Sequence, residues 1–168
     1  MAVVSAHKLG GPVGIVALLV RDYAMLNPVG GHERGYRSGT ENLPDALGFA
    51  AALEACAKDD WSAQHAIRSH FAEQLAAYQL ITGQVHCEHI LALTHPRLSA
   101  QALLIRLDAA GFAVSAGSAC SSGTLKRSRA LEGFGIAEDV AARTIRVSLG
   151  WNTTREELEQ FVGVWHGL

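Results

Sequence analysis

The segment from Ser115 to Thr124 constrains the fold most, because it holds no large apolar side chain and cannot contribute to a hydrophobic core. It reads Ser-Ala-Gly-Ser-Ala-Cys-Ser-Ser-Gly-Thr, with its thiol at Cys120. Its glycines give backbone freedom and its small side chains leave the thiol accessible, which favours a loop that presents a nucleophile. The alternative is a small-residue turn in which Cys120 packs as a minor apolar side chain.

Polar residues near the front of the chain form a second candidate site. Two valines precede Ser5-Ala-His7-Lys8, and a Gly-Gly-Pro sequence follows at residues 10–12. This pattern predicts a strand that ends in a turn, where enzymes often place reactive side chains. Lys8 is then either a solvated charge in the turn or an amine that forms a Schiff base.

A third candidate site lies between Gly30 and Thr40, where four glycines stand among polar side chains. The composition argues against regular structure. Arg34, Arg37 and neighbouring hydroxyl or backbone donors suit a phosphate group. A solvated turn with ordinary surface arginines has the same composition, so both interpretations stay open.

A fourth candidate site is Arg146, in a stretch that alternates in polarity from Thr144 to Leu149. In a strand, the apolar side chains would share one face, while Thr144, Arg146 and Ser148 would share the other. An arginine flanked by hydroxyl groups suits a carboxylate, because its planar fork can bind both oxygens. A surface ion pair is the simpler alternative.

The rest of the sequence predicts an α/β fold. The apolar run from 14 to 20 is typical of a strand buried on both faces of a larger sheet. Alternation from 85 to 94 predicts another strand, and a short one is expected from 112 to 115. Helices are predicted over 43–57, 62–78, 99–111 and 125–134, and a helix with a capping box at Thr154 closes the chain.

A change from helical to strand-like composition near Gly83 predicts a boundary, with one part over 1–82 and a second over 83–168. The cluster His86-Cys87-Glu88-His89 lies just after this boundary. A strand would divide these four side chains between two faces, whereas zinc needs three or four ligands together. The sequence therefore predicts no metal site.

Composition bounds the class of protein. With 168 residues and 49% hydrophobic content, the chain can form one globular domain with a core. A formal charge of −2 without a basic block argues against a nucleic-acid partner, and three cysteines without a disulfide spacing favour a reducing compartment. The front of the chain lacks a signal-peptide pattern and the apolar runs are too short to cross a bilayer, so a cytoplasmic location without a membrane partner is expected.

Four motifs together resemble the pyridoxal-phosphate-dependent cysteine desulfurases of the class V aminotransferase group. The resemblance covers essentially the whole chain, and four motifs in order are specific. It implies the C-terminal part of a fold-type I transferase: the end of the large-domain sheet with its helices, then a small α+β subdomain. The motifs are Ser-Ala-His-Lys at 5–8, Arg-Gly-Tyr-Arg-Ser-Gly-Thr at 34–40, Ser-Ala-Gly-Ser-Ala-Cys-Ser-Ser-Gly at 115–123 and Thr-Ile-Arg-Val-Ser-Leu-Gly at 144–150.

The resemblance also assigns cofactor contacts. Lys8 would bind pyridoxal phosphate covalently and later remove the α-proton of L-cysteine. Ser5 and His7 would lie beside the cofactor, with Ser5 donating to its phosphate. Thr40 would reach the cofactor phosphate of the neighbouring subunit in a homodimer.

The substrate contacts are assigned by the same resemblance. Arg146 would bind the carboxylate of L-cysteine. Cys120 would take the substrate sulfur as a persulfide, which releases L-alanine and leaves the sulfur for an acceptor protein, as in iron–sulfur cluster assembly. The residues leave three alternatives open: a sulfur carrier that uses Cys120 without cofactor chemistry, a selenocysteine lyase, or another class V aminotransferase.

One departure from the family pattern lies before Lys8. Family members carry a substantial segment there, which supplies the acidic partner of the pyridine nitrogen, a ring-stacking histidine and the main phosphate loop. This sequence begins seven residues before Lys8. We therefore expect the chain by itself to bind the cofactor weakly, to turn over little or no substrate, and to expose apolar surface that includes the run from 14 to 20.

Overall fold

The computed structural model describes residues 1–58, 62–80, 89–117 and 128–168. The chain forms two compact units, Met1–Asp60 and Trp61–Leu168. The predicted boundary between residues 82 and 83 lies outside the described residues. Phe71 and Leu75, which precede residue 82 in the sequence, are buried in the core of the second unit.

The first unit contains two antiparallel strands, β1 (Ala2–Ser5) and β2 (Val16–Leu19). A 3₁₀ turn, Ala6–Leu9, comes directly after β1. The strand predicted from the apolar run is confirmed, but its expected burial on both faces is wrong for this chain. Val16 and Leu19 are 57% and 56% exposed, since among the described residues β2 pairs with β1 alone. The expectation that this run would be exposed in the chain by itself is confirmed.

Helix α1 (Leu43–Lys58) completes the first unit. Its start matches the sequence prediction, because Asn42 Oδ1 accepts a hydrogen bond from the Asp45 amide at 3.3 Å and Pro44 occupies the first turn. Phe49, on the same helix, is buried. The helix therefore has a capped start and a partly buried side.

The second unit contains a three-stranded antiparallel sheet in the order β3-β5-β4. Its two longer strands pair over their full length, with Ile90 opposite Ser148 and Thr94 opposite Thr144. The elements are α2 (Ser62–Gln74), β3 (Ile90–Thr94), α3 (Ala100–Ala109), β4 (Ser115–Ala116), α4 (Arg129–Gly133), α5 (Glu138–Ala141), β5 (Thr144–Ser148) and α6 (Arg155–His166).

A single hydrophobic core joins three of these helices, α2, α3 and α6, to the sheet. Alternate residues of β3 and β5 are buried, which gives the apolar face that the sequence predicts for β5. The helices contribute the apolar stripes expected for α2, α3 and α6. The largest buried side chains are Trp165, Phe71, Leu75, Leu93, Leu103, Leu107 and Ile145.

Local signals fix the helix starts in this unit. Ser99 Oγ accepts a hydrogen bond from the Ala102 amide at 3.3 Å and begins α3. The capping box of α6 is confirmed: the Glu157 amide donates to Thr154 Oγ1 at 3.2 Å, and Glu157 Oε2 accepts from the Thr154 amide at 2.8 Å. These contacts are short-range, so the sequence alone was enough to predict them.

Thr144 lies on the face of β5 that carries Arg146, and its Oγ1 is 2.8 Å from Thr94 Oγ1 on β3. It is nevertheless buried, and its hydroxyl donates to the Val140 carbonyl oxygen at 2.7 Å. Two sequence expectations need correction in the second unit. The strand expected over 112–115 is β4 at Ser115–Ala116, while residues 112–114 carry no strand. The helix expected over 125–134 is α4 from Arg129, and residues 125–127 lie outside the described ranges.

None of the helices in the described ranges is both long enough and apolar enough to cross a bilayer.

Candidate functional site

Lys8 lies on the one-turn 3₁₀ helix that comes after β1. Ala6 points inward and is fully buried, while His7 and Lys8 are exposed. Gly10 ends the turn with φ of 78°, a left-handed conformation that glycine adopts without strain. The turn therefore presents the amine of Lys8 from a fixed backbone.

Helix α1 packs closely against the chain just beyond Lys8. A methyl group built on Gly11 would lie 3.1 Å from Ala52 Cβ and from the Ala6 carbonyl oxygen, so the backbone approaches α1 about as closely as atoms allow. Cys56 Sγ donates to the Leu9 carbonyl oxygen at 3.9 Å. The position of Lys8 thus depends on small residues at matched places in the turn and in α1.

Ser5 and His7 form a hydrogen-bonded pair beside Lys8. Ser5 Oγ and His7 Nδ1 are 2.9 Å apart. With the proton on Nδ1 the imidazole donates to Oγ, and the hydroxyl hydrogen is then available to an outside acceptor such as a phosphate oxygen. Among the described residues, no carboxylate pairs with either side chain or with Lys8.

The segment from Gly30 to Thr40 is a folded turn held by its own backbone. His32 and Arg37 form an antiparallel bridge, with the His32 amide donating to the Arg37 carbonyl oxygen at 2.7 Å. A methyl group built on Gly31 would lie 2.5 Å from that same oxygen, so only glycine fits there. The expectation of irregular structure is confirmed apart from one 3₁₀ turn at Glu33–Gly35.

The donors of this turn are partly in use. The Val29 and Gly30 amides both donate to the Gly35 carbonyl oxygen, at 2.7 and 3.1 Å, so they do not face an outside anion. Arg37 Nη2 donates to the Thr40 carbonyl oxygen at 3.3 Å. Thr40 and Arg34 are exposed, which leaves their side chains accessible. The phosphate role of Thr40 stays a prediction.

Arg146 lies on the outer face of β5 in the second unit, and it is exposed as the alternating pattern predicts. Its cross-strand neighbours are Ala92 on β3 and Ser115 on β4. Arg146 Nη2 donates to Ser115 Oγ at 3.4 Å. This contact was missed by sequence reasoning, because strand register cannot be read from a two-residue strand.

His95, immediately after β3, is a second feature that the sequence did not reveal. It is buried, and its Nδ1 accepts hydrogen bonds from the Arg97 and Leu98 amides at 3.1 and 2.9 Å. Burial and then the positive charges of three arginines lower its pKa from the ordinary 6.5. The arginines are Arg97, Arg106 and Arg143. His95 is therefore a neutral structural acceptor.

Arg143 connects the two ends of the segment that includes α3 and β4. Its Nη1 donates to the His95 and Pro96 carbonyl oxygens at 3.0 and 2.9 Å. Its Nη2 pairs with Asp139 Oδ2 at 3.1 Å. The guanidinium thus joins the exit of β3 to the residue immediately before β5.

The structure places the predicted residues in two groups. Ser5, His7 and Lys8 occur together in one turn of the first unit, while Arg146 lies in the second unit. Cys120 lies outside the described residues, as do positions 85–88 of the predicted strand. Within the described ranges, no three histidine, cysteine, aspartate or glutamate side chains are grouped so as to hold a metal ion.

The sequence matches a known family model over residues 1–161, the model being that of aminotransferase class-V proteins. The chain belongs to the aminotransferase class-V family. The predicted family group is thereby confirmed. The match includes the turn of Lys8, the segment of Thr40, Cys120 and the strand of Arg146.

Comparison with individual proteins shows which members of the aminotransferase class-V family this chain is similar to. The chain is 37% identical to the cysteine desulfurase IscS of Anaeromyxobacter sp. (strain Fw109-5), over 96% of this chain and 43% of the relative. A solved NifS-like protein superimposes with a TM-score of 0.76 at 28% identity, over 98% of this chain and 44% of the other. SspA, solved in complex with cysteine, gives a TM-score of 0.60 at 29% identity, over 88% and 43%.

These likenesses support two conclusions. The α/β fold predicted from the sequence is confirmed as that of NifS-like members of the class-V family. The chain spans less than half the length of the relatives it matches.

Proposed function

We propose that this chain carries residues of a pyridoxal-phosphate-dependent cysteine desulfurase, which converts L-cysteine and an enzyme thiol to L-alanine and an enzyme persulfide. The observation that carries the proposal is the turn of Lys8. An exposed amine stands on a backbone fixed by Ala6 and Gly11, next to a hydroxyl–imidazole pair. The cysteine desulfurase names of the relatives support the same chemistry.

The side chains of this turn fit one end of pyridoxal phosphate. Its aldehyde requires an amine, which Lys8 offers, and its phosphate requires donors, which Ser5 and His7 offer. The pyridine nitrogen requires an acid, and no described carboxylate pairs with this turn. The described side chains of this turn thus fit the aldehyde and the phosphate, and weak cofactor binding by the chain alone stays a prediction.

Each residue then has a defined task. Lys8 Nζ would hold the cofactor and, once the substrate amine has displaced it, would accept the α-proton of the substrate. His7 would orient the Ser5 hydroxyl toward the phosphate. When bound, pyridoxal phosphate supplies a sink for the negative charge that proton removal leaves on the substrate. Thr40, exposed at the end of its turn, is proposed to contact the phosphate held by a second subunit.

Arg146 is proposed to bind the substrate carboxylate. Its guanidinium is exposed, and among the described residues its one side-chain partner is neutral. A cation without a described carboxylate partner can bind an incoming carboxylate without first breaking an ion pair. Cys120 is proposed to hold the sulfur as a persulfide, from which an acceptor protein takes it in the cytoplasm.

The cofactor role of Lys8 predicts a single labelled residue. The chain is incubated with pyridoxal phosphate, reduced with borohydride and digested. The mass of each lysine-containing peptide is then measured by mass spectrometry. The label is expected on Lys8, to be lost in Lys8→Arg and to remain in the matched variant Lys58→Arg. The same assay is repeated with the remaining part of the Anaeromyxobacter relative co-expressed, where alanine release from L-cysteine and a persulfide at Cys120 are also expected.

Two outcomes would contradict the proposal. Equal labelling of all lysines would mean that the turn does not select the cofactor. A persulfide at Cys120 that forms from an external donor and does not change in Lys8→Arg would instead indicate a sulfur carrier.

A further inference from the structure

On the outer face of the three-stranded sheet, Arg146 lies between two neighbours that differ in their ability to form hydrogen bonds. Ala92 on β3 and Ser115 on β4 lie directly opposite it in the strand register. Ala92 offers only a methyl group, which cannot accept a hydrogen bond. Ser115 offers a hydroxyl oxygen, and Nη2 of Arg146 donates to it. The guanidinium is thus held toward β4 rather than β3.

Arginine otherwise has many conformations open to it. An exposed arginine side chain has roughly 2 kcal/mol of rotamer entropy, and binding a ligand by both nitrogens requires that it adopt one orientation. A contact that restrains the free side chain lowers the entropy lost on binding. Among the described residues this contact uses Nη2 of Arg146, at 3.4 Å, so the other N–H donors of the guanidinium are left for a ligand.

The direction of this restraint matters because β4 leads along the chain to the candidate thiol. Ser115 and Ala116 form β4, and Cys120 is the next thiol in the sequence. A guanidinium that leans toward β4 lies beside the strand from which the Cys120 segment continues. No sequence motif indicated a role for Ser115 beyond a small residue in that segment.

We propose that Ser115 is a positioning residue, which holds the Arg146 guanidinium over β4 so that it binds an amino-acid carboxylate beside the strand leading to Cys120. The proposal rests on the proposed function for the ligand, but the restraint itself is a property of the free chain. The two can therefore be tested separately.

The restraint is tested without ligand, by nuclear magnetic resonance relaxation of the Arg146 Nε–H group in the whole chain. Ser115→Ala is expected to lower the order parameter of this group, and Ser115→Thr, which keeps the hydroxyl, is expected to restore it. Ser148→Ala is the matched control, because Ser148 lies on β5 with Arg146 and on the same face of that strand. An order parameter that is unchanged in Ser115→Ala would overturn the positioning role, whatever the function of the protein.

The ligand is tested by two titrations of the chain, one with L-alanine and one with L-alaninamide, which has the same amine but no carboxylate. A shift of the Arg146 Nε–H signal is expected with L-alanine alone. Ser115→Ala is expected to weaken this binding about three- to tenfold, the range of one hydrogen bond, with recovery in Ser115→Thr.

The remaining outcomes separate the two ideas. Equal affinity in the wild-type chain and in Ser115→Ala would overturn the positioning role while leaving the carboxylate role of Arg146 intact. Binding that does not change in Arg146→Gln, or that does not distinguish alanine from its amide, would overturn the carboxylate role and the proposal together.

Discussion

The two units of the chain differ in how much of their apolar surface they bury. Fifteen buried apolar residues of the second unit form one core, whereas only Ala6 and Phe49 are buried among the described apolar residues of the first. The first unit instead has more exposed apolar side chains: twelve large ones are exposed in it, and four in the described part of the second unit. The second unit is stabilised by its own interior, and the first is not.

This difference has a physical consequence for the two groups of candidate residues. A two-stranded sheet is marginal by itself in water, and β1 and β2 make up such a sheet in the first unit. The turn of Lys8 depends on that sheet and on α1. Arg146 and Ser115 are instead supported by strands whose other face is buried. We expect Arg146 and Ser115 to be held rigidly in this chain and the turn of Lys8 to be less stable.

The largest expected effect comes from removing part of the second core. Leu107→Ala empties a fully buried position and should lower the free energy of unfolding by about 2–5 kcal/mol, from lost burial and the cavity left behind. Ile105→Ala, on the same helix at 65% exposure, should change it by less than about 0.5 kcal/mol. Urea unfolding followed by circular dichroism measures both. Similar costs for the two variants would mean that the second unit lacks an independent core.

An intermediate effect is expected in the first unit, where α1 meets the chain after Lys8. A methyl group on Gly48 would lie 2.5 Å from Pro12 Cγ, and the proline ring cannot rotate away. Gly48→Ala should therefore destabilise α1 by about 1–2 kcal/mol, despite the better helix propensity of alanine. Residue-resolved hydrogen exchange measures the change.

Gly163→Ala in α6 is the control for this variant, since a methyl group there meets no atom within 4 Å. It should stabilise the second unit by about 0.5–1 kcal/mol. If Gly48→Ala were also stabilising, α1 would not be packed against Pro12, and the first unit would be looser still.

The smallest expected effect is the pH dependence that His95 gives the second unit. Because burial and three arginines lower its pKa below 6.5, the unfolded chain binds this proton more readily than the folded one. The stability contribution is thus complete above pH 6.5 and is lost as pH falls through the lowered pKa. One group gives a slope of at most about 1.4 kcal/mol per pH unit.

Unfolding by urea at a series of pH values between about 5 and 8 tests this prediction. His95→Asn is the informative variant, because its side-chain oxygen can accept the amides of Arg97 and Leu98 but does not titrate. The difference in slope between wild type and variant isolates His95 from the other histidines. Equal slopes would mean that His95 is not the titrating group.

Much of the fold could be predicted from local sequence. The caps at Asn42, Ser99 and Thr154 and the alternation in β5 involve residues within a few positions of one another, so their interactions can be read from spacing. The turn of Lys8 was found in the same way, from valines followed by small polar residues and glycine.

Long-range features could not be predicted. The partner of Arg146 depends on the register between β4 and β5, and the contact of Thr144 with Thr94 joins residues 50 positions apart. The apolar run that became β2 shows the same limit. Its composition predicts a buried strand, but burial depends on which other chain segments cover it, and among the described residues only β1 pairs with it.

The guanidinium of Arg143 holds together the two ends of a long segment, because it donates to the carbonyl oxygen of His95, 48 residues away in the sequence. Once the ends of a stretch are tied, the entropic cost of lengthening it is small, about 0.6 kcal/mol for each doubling. Insertions or deletions around Cys120 should therefore be tolerated by the sheet on either side. The interior of the second unit therefore leaves the length of the segment around Cys120 free to vary without a change in the core.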